Sequence, residues 1–228
     1  MEETFEGIVT SVMEEAAALL AIDSPTGYTA GAADHVMAAY RALGLAPEQT
    51  RKGGVLVCLN PEAPEDDSLL LEAHVDTLGG MVTEISAAGR LNLTNLGGMN
   101  PNNAEAENVR IVTRSGKIYT GTFQMKNASI HVNGDYSSTK RSYDAMEVVI
   151  DQEVHSRRDV EKLGIAPGDI VCFEPRTVIT PSGFIKSRFL DDKLSVAILL
   201  GLAGQVARGE VKPKRRVWQH ITVFEEVG

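Results

Sequence analysis

Three pairs of residues in this sequence could do acid–base or metal chemistry, and they lie far apart along the chain. The first pair, His74 and Asp76, ends the apolar run SLLLEAHVDT at residues 68–77. Side chains two apart on a strand point to the same face, roughly 7 Å from each other. The imidazole could therefore bind a metal while the carboxylate orients it. The alternative is a polar strand end in which Asp76 only caps or solvates a turn.

The second pair is Asp191 and Asp192, which lies just before an apolar helix that we expect to begin near Lys193. Asp192 is well placed to be a helix N-cap and nothing more. Asp191 is harder to explain in that way, because a second carboxylate beside the cap adds repulsion without a needed hydrogen bond. A carboxylate can bridge two cations about 3.5–4 Å apart, and this would give Asp191 a use.

The third pair, Glu225 and Glu226, follows the apolar positions of TVFEEVG at residues 222–228. Two adjacent carboxylates repel each other and lose hydration when they are buried. Solvation at a strand end would remove that cost. If the chain turns there, one Glu could ligate a cation while the other acts as a general base toward water.

The elements around these pairs indicate an α/β protein. Apolar residues recur at helical spacing from Phe5 to Leu20 and from about Ala30 to Leu43, and residues 193–206 form a third helical run. Buried strands are expected at 53–60, 68–77 and 217–225. We therefore expect the polar pairs to gather at the carboxyl ends of strands in one sheet, where sites in open α/β sheets form.

From Gly79 onward the sequence changes to short alternating runs separated by Gly, Asn, Asp and Ser, which is typical of short strands and tight turns. A short helix is expected at residues 157–163. This texture predicts a small β-barrel or sandwich inserted into the α/β chain. We divide the sequence into a first catalytic part (1–78), an inserted β-barrel domain (79–174) and a second catalytic part (175–228). The runs are MVTEI, RLNLTNL, NVRIVTR, KIYTGTF, ASIHV and MEVVID.

Composition excludes several kinds of partner. The 22 Lys and Arg residues against 31 Asp and Glu give a net charge of −9, which disfavours nucleic acid. The first residues lack a signal-peptide pattern, and no apolar run approaches the ~18 residues of a membrane span. The two cysteines, Cys58 and Cys172, lie in apolar runs and are expected to be free thiols. We expect a cytoplasmic protein with no membrane partner.

The motifs AHVD (73–76), FLDDK (189–193) and FEEVG (224–228) together resemble the glutamyl and deblocking aminopeptidase family of dinuclear, or co-catalytic, metallopeptidases. Some members of that family were once named cellulase or endoglucanase. SPTG at 24–27, the run from His74 to Leu91, LGG at 96–98 and LGIAPGD at 163–169 fit as well. The resemblance implies a mixed-sheet, three-layer, zinc-peptidase-like catalytic domain, interrupted by a small PDZ-like β-barrel.

The resemblance also implies roles for the three pairs. His74 would bind one metal, Asp191 would bridge two and Glu226 would bind the other, with zinc or cobalt as the two divalent cations. Glu225 would be the general base and Asp76 would orient the imidazole. The peptide bond between Asp191 and Asp192 would be cis. The implied activity is hydrolysis of N-terminal residues from peptides through a metal-activated water, in a homo-oligomer assembled through the inserted domain.

Two features depart from the family pattern. Thr77 stands where the family commonly has an acidic residue. The pattern also needs a further Asp ligand and a late His ligand beyond Gly228, so we expect the sequence to be part of a longer chain. Two other functions stay open. The chain could be a non-catalytic fragment or assembly module, or it could carry a dinuclear deacylase that acts on acylated amino acids.

Overall fold

A computed structural model describes residues 5–228, which fall into two compact units. The first unit ends at Thr77 and resumes at Pro175, and we call it the sheet unit. The second spans Leu78–Glu174, and we call it the barrel unit. Among the described residues, no helix combines the length and the apolar character needed to cross a membrane.

The helices and strands are numbered here in chain order. The helices are α1 (Phe5–Leu20), α2 (Ala30–Ala42), α3 (Arg157–Leu163) and α4 (Leu190–Ala207). The strands are β1 (Glu48–Gln49), β2 (Val55–Cys58), β3 (Ser68–His74), β4 (Gly79–Ile85), β5 (Leu91–Leu96), β6 (Glu107–Val112), β7 (Ile118–Met125), β8 (Met146–Ile150), β9 (Ile170–Phe173), β10 (Val178–Ile179), β11 (Ile185–Lys186) and β12 (Arg216–Thr222).

The sheet unit is built on a four-stranded mixed sheet with the order β1-β2-β12-β3. Strand β12 runs parallel to β3 and antiparallel to β2. Alternate strand residues, such as Val57, Ala73 and Ile221, are buried in one core with side chains of α1, α2 and α4. The period of two in the strands and the apolar faces of the helices produce this packing. The α/β fold with a mixed sheet is therefore confirmed.

The opposite face of this sheet is open among the described residues. Leu70 and Glu72 of β3 are exposed, Leu70 by 52%. Trp218 and His220 of β12 are only half-buried. The two faces therefore differ sharply in burial although they belong to the same strands.

The barrel unit is a closed antiparallel barrel with the strand order β4-β5-β8-β7-β6-β9. Its interior is apolar and contains Phe123 and Phe173, whose rings meet edge to face with centroids 5.3 Å apart. Gly121 allows a close approach of strands, because a Cβ there would lie 2.6 Å from the carbonyl oxygen of Val149. The predicted β-barrel is confirmed. The alternating apolar and polar residues that indicated it are the side chains that point into and out of the barrel.

Two local predictions are wrong. The run ASIHV (128–132) was expected to be a strand, but residues 127–140 form turns. Ile130 and Val132 are 61% and 80% exposed, so their alternation has no buried face to occupy. The last strand was expected to reach Glu225, but β12 ends at Thr222 and a 3-10 turn follows at Glu225–Val227.

Candidate active site

His74 and Asp76 lie at the carboxyl end of β3, in the sheet unit. His74 is the last residue of the strand and pairs with Thr222, the last residue of β12. Because the two strands are parallel, their carboxyl ends meet at one edge of the sheet. Both side chains are buried, with exposures of 6% for His74 and 0% for Asp76. The sheet therefore brings the first and third candidate pairs together.

The imidazole of His74 has a fixed orientation. Its Nδ1 lies 3.0 Å from the backbone carbonyl oxygen of Asp76, which can only accept a hydrogen bond. Nδ1 must therefore carry a proton and donate it. The other ring nitrogen, Nε2, lies 3.2 Å from Oδ1 of Asp191 and 3.6 Å from Oε2 of Glu225. The nitrogen that could bind a cation thus faces two candidate site carboxylates.

The carboxylate of Asp76 forms an ion pair with the imidazole, with Oδ1 at 3.4 Å from Nδ1 of His74, and it accepts hydrogen bonds from three further residues. Its Oδ2 accepts the hydroxyl of Thr26 at 2.7 Å and the backbone N–H of Glu226 at 3.2 Å. Its Oδ1 accepts the backbone N–H of Glu225 at 3.2 Å. These two N–H groups explain why β12 stops early, since the chain must turn to present them. Asp76 thereby holds both His74 and the turn that carries the two glutamates.

The pKa values of these groups follow from burial and from each other. Burial lowers the pKa of His74, but hydrogen bonds to Asp76 and the charges of Asp76 and Asp192 outweigh it and raise this pKa to about 9. For Asp76 burial acts to raise the pKa, yet hydrogen bonds from His74, Thr26 and two backbone N–H groups hold it below its usual value. Burial and the neighbouring carboxylates raise the pKa of Glu226. The site therefore concentrates negative charge around one imidazole.

Asp191 and Asp192 stand at the start of α4, where the backbone departs from helical geometry. The peptide bond between them is cis, as the resemblance implied. The side chain of Asp191 is 90% exposed and reaches Nε2 of His74. Oδ2 of Asp192 accepts the backbone N–H of His74 at 3.4 Å. The second candidate pair thus lies beside the first.

The donor types at this site suit a divalent cation. A neutral imidazole nitrogen and several carboxylate oxygens are ligands that zinc accepts. The hydrogen bond that fixes Nδ1 leaves Nε2 as the ligating atom, as is common for metal-bound histidines. Within residues 5–228, however, no group of three or more His, Cys, Asp and Glu side chains is arranged to hold a metal ion. The residues fit the chemistry and supply part of a coordination shell.

Two residues at the site were not predicted to have a role. Thr26 belongs to the SPTG motif, which entered only as part of the family resemblance. Lys193 is 1% exposed and its ammonium group donates to the carbonyl oxygens of Leu19 and Ile22. The one signal that could have found Lys193 is its charge at the start of a strongly apolar run, where an unpaired ammonium would be costly.

Comparison with known proteins identifies relatives that match most of this chain. The family model of M42 glutamyl aminopeptidase matches residues 53–228. YhfE of Bacillus subtilis, which carries a provisional aminopeptidase name, is 41% identical over 220 residues, or 96% of this chain. The TET1 peptidase of Pyrococcus horikoshii has the same fold, with a TM-score of 0.80 at 23% identity over 96% of this chain. A Thermotoga maritima structure named endoglucanase matches 91% of this chain with a TM-score of 0.71 at 17% identity.

The chain spans only part of each of these proteins. It covers 63% of the length of YhfE, 62% of the TET1 peptidase and 58% of the Thermotoga protein. The match of the family model and the identity to YhfE both extend over most of this chain. The chain therefore belongs to the M42 glutamyl aminopeptidase family.

Proposed function

We propose that this chain carries the active-site core of a metal-dependent aminopeptidase, which removes N-terminal residues from peptides. One observation supports this most directly. Nε2 of His74 faces the carboxylates of Asp191 and Glu225 at 3.2 and 3.6 Å, while Asp76 holds the other ring nitrogen. An imidazole fixed in this way serves as a ligand, and the nearby carboxylates serve as further ligands or as a base.

In this proposal the residues keep separate roles. His74 would hold one of two divalent cations, zinc or cobalt, Asp191 would bridge them and Glu226 would hold the other. When bound, such cations polarise a carbonyl group and lower the pKa of water. Asp76 would keep the imidazole oriented. Burial, together with the neighbouring carboxylates, raises the pKa of Glu226, and a bound cation would favour its charged form.

Glu225 would act as the general base. Its side chain is 62% exposed, so water and a peptide can reach it. It would take a proton from the attacking water as the new carbon–oxygen bond forms. It would then give that proton to the departing amine as the carbon–nitrogen bond breaks. A carboxylate can serve both steps because it is regenerated when the amine leaves.

The expected partners follow from the same family. The substrate would be a peptide, and the protein would be a homo-oligomer assembled through the barrel unit. The TET1 peptidase of Pyrococcus horikoshii is described as assembling into a tetrahedron or an octahedral shell, which supports such an assembly. The net charge of −9 disfavours nucleic acid. Cys58 and Cys172 are not joined in a disulfide, which supports the proposed reducing, cytoplasmic location. No membrane partner is proposed.

The decisive test is Glu225→Gln in the natural protein that contains this chain. We expect kcat for chromogenic aminoacyl amides to fall by roughly 10²–10⁴-fold, because the base is lost while the side-chain shape is kept. Metal content should stay unchanged. Glu62→Gln in the loop after β2 is the control and should keep full activity. Full activity of Glu225→Gln, or hydrolysis of N-acyl amino acids in place of aminoacyl amides, would contradict the proposal.

A non-catalytic assembly module is the second candidate function. It is supported by the lack of a three-residue metal-binding group within the part of the chain that the structure describes. Zinc titration of the 228-residue chain separates the two functions. Two equivalents bound tightly, with the affinity lost in Glu226→Gln, would contradict the module. No binding by either the chain or the natural protein would contradict the enzyme.

A further inference from the structure

The segment Ser24–Thr26 lies alongside the chain that leaves β3, in the sheet unit. The backbone N–H of Thr26 donates to the carbonyl oxygen of Thr77 at 3.2 Å, and the N–H of Thr77 donates to the carbonyl oxygen of Ser24 at 2.9 Å. Pro25 and Thr77 form a parallel bridge. Residues fifty positions apart are thus joined by main-chain hydrogen bonds directly beside Asp76. We call residues 24–26 the SPT segment.

The SPT segment continues into a tight turn. The N–H of Tyr28 donates to the carbonyl oxygen of Pro25 at 2.7 Å, and Gly27 at the third position of this turn has a φ of +90°. Only glycine adopts that φ at little cost. The turn therefore gives a structural reason for the glycine of the SPTG motif. It leaves the two hydroxyl residues to be explained.

The two hydroxyl groups have different partners. Ser24 is 0% exposed and its hydroxyl donates to the backbone carbonyl of Val75 at 2.7 Å. Thr26 is 5% exposed and its hydroxyl donates to Oδ2 of Asp76, also at 2.7 Å. The first bond ties one backbone segment to another. The second ends on a carboxylate whose Oδ1 lies 3.4 Å from Nδ1 of His74 and which accepts the N–H groups of Glu225 and Glu226.

Lys193 binds the chain just before the SPT segment. Its ammonium group lies 2.9 Å from the carbonyl oxygen of Leu19 and 2.6 Å from that of Ile22. These carbonyls belong to the last turn of α1 and the residues that lead into the SPT segment, where a cation is favoured. Lys193 follows Asp192 directly in the chain. A buried cation at the start of α4 therefore holds the end of α1 and Ile22, two residues before the SPT segment.

We propose that Thr26 is a positioning residue for the candidate active site. Its hydroxyl fixes the Asp76 carboxylate, and through Asp76 it sets the orientation of the His74 imidazole and of the turn that carries Glu225 and Glu226. The part of this proposal that concerns metal binding rests on the proposed function. The part that concerns Asp76 and the glutamate turn rests on the hydrogen bonds alone.

The chain offers matched variants for the test. Thr26→Val removes the hydroxyl and keeps the branched shape, and Thr26→Ser restores the hydroxyl. Ser24→Ala removes an equally short and equally buried hydrogen bond from the same segment without touching Asp76. The first readout is amide hydrogen exchange of Glu225 and Glu226 in the 228-residue chain. The second is zinc affinity of the natural protein, measured by competition with a metal-binding dye.

We expect Thr26→Val to speed exchange at the two amides about tenfold, because local opening of the turn becomes easier. Zinc affinity should fall roughly tenfold, the lower end of the cost of losing an outer hydrogen-bond partner. Thr26→Ser should behave like the parent chain, and Ser24→Ala should change both readouts less than about twofold. Thr26→Val and Ser24→Ala each remove one buried hydrogen bond. The test therefore compares these two variants with each other and does not need their overall stability to equal that of the parent chain.

Three outcomes decide the proposal. Equal effects of Thr26→Val and Ser24→Ala would show that the SPT segment only stabilises the fold, and this overturns the proposal. Unchanged exchange at Glu225 and Glu226 in Thr26→Val overturns it as well. Faster exchange with unchanged zinc affinity supports the positioning of the glutamate turn by Thr26 and contradicts the part of the proposal that concerns metal binding. Absence of zinc binding in the parent protein would instead contradict the proposed function, so the two failures are distinguishable.

Discussion

The two units of this molecule manage the edges of their sheets in opposite ways. In the barrel unit all six strands have two neighbours, so no strand edge is left open. In the sheet unit, the order β1-β2-β12-β3 leaves β3 at an edge, and one face of the sheet is open among the described residues. The candidate catalytic residues all belong to the sheet unit. The closed barrel and the candidate active site thus lie in different units of the chain.

Buried polar residues show the same contrast. In the barrel unit of the described chain they are Glu107, Thr113 and Asp169. In the sheet unit, most buried polar residues lie in or beside the hydrogen-bonded network around Asp76. They are Ser24, Thr26, His74, Asp76, Thr77 and Lys193. A buried polar network is costly unless each member is paired. The barrel is therefore expected to depend on apolar packing and the site on hydrogen bonds.

Phe123→Ala should give the largest effect, in the barrel unit. Phe123 is 0% exposed and packs edge to face against Phe173. Removing the ring leaves a cavity in a closed sheet that cannot collapse easily, so the free energy of unfolding should fall by about 3–5 kcal/mol. Urea denaturation measures this loss.

The control for this prediction is Ile118→Ala in the same strand, where the side chain is 57% exposed. It should change the free energy of unfolding by no more than about 0.5 kcal/mol. In Phe123→Ala, amide hydrogen exchange should become faster in residues 78–174 before it becomes faster in the rest of the chain. Equal destabilisation of both units would mean that the barrel unit does not depend on its own core.

Asp76→Asn should give the next largest effect, in the sheet unit. The amide keeps the shape of the carboxylate but removes its charge and turns one acceptor into a donor that faces N–H groups. The free energy of unfolding should fall by about 2–3 kcal/mol at neutral pH, the cost of losing hydrogen bonds to a charged group. Because the folded pKa of Asp76 lies below 3.8, this contribution is present above about pH 4 and is lost as the pH falls through the folded pKa.

The measurement is urea unfolding of the parent chain and Asp76→Asn at pH 7 and pH 3. The difference between them should shrink at the lower pH. Asp67→Asn, which removes an exposed ion pair with Arg215, is the control and should cost less than about 1 kcal/mol. A difference that grows toward pH 3 would contradict the stabilising role of the ionised Asp76.

The sequence predicted those helices and strands whose signals lie within a few neighbouring residues. Helix α3 spans Arg157–Leu163 as expected, with Ser156 as its N-cap and Gly164 in the left-handed region at its end. The barrel followed from alternation. The same alternation led to the wrong prediction of a strand at ASIHV, because alternating apolar residues form a strand only where one face is covered. Nothing in five residues says whether a neighbouring strand will cover them.

The candidate site was predictable only in part for a similar reason. The residue types and the three motifs pointed to His74, Asp191 and Glu225. The structure places the carboxylates of Asp191 and Glu225 at 3.2 and 3.6 Å from Nε2 of His74. The bonds from Thr26 to Asp76 and from Lys193 to the end of α1 join residues 50 and 174 positions apart. Such contacts depend on the packed fold and have no local pattern.

Leu70→Thr should give the smallest effect, on the open face of the sheet. Leu70 is 52% exposed, and threonine suits a strand, so the free energy of unfolding should change by no more than about 0.5 kcal/mol. The matched control is Ala73→Thr in the same strand. Ala73 points to the covered face, with 5% exposure, and should lose about 1–3 kcal/mol through overpacking.

Urea denaturation at two protein concentrations makes this test sharper. If Leu70→Thr costs as much as Ala73→Thr, the open face is covered in solution, and the comparison between a closed barrel and an open sheet fails. A cost that appears only at the higher concentration would identify a second copy of the chain as the cover, because association stabilises by mass action. No cost at either concentration means that this face contributes little to folding of the 228-residue chain, which leaves the packing of α1, α2 and α4 on the covered face as the main stabilisation of the sheet.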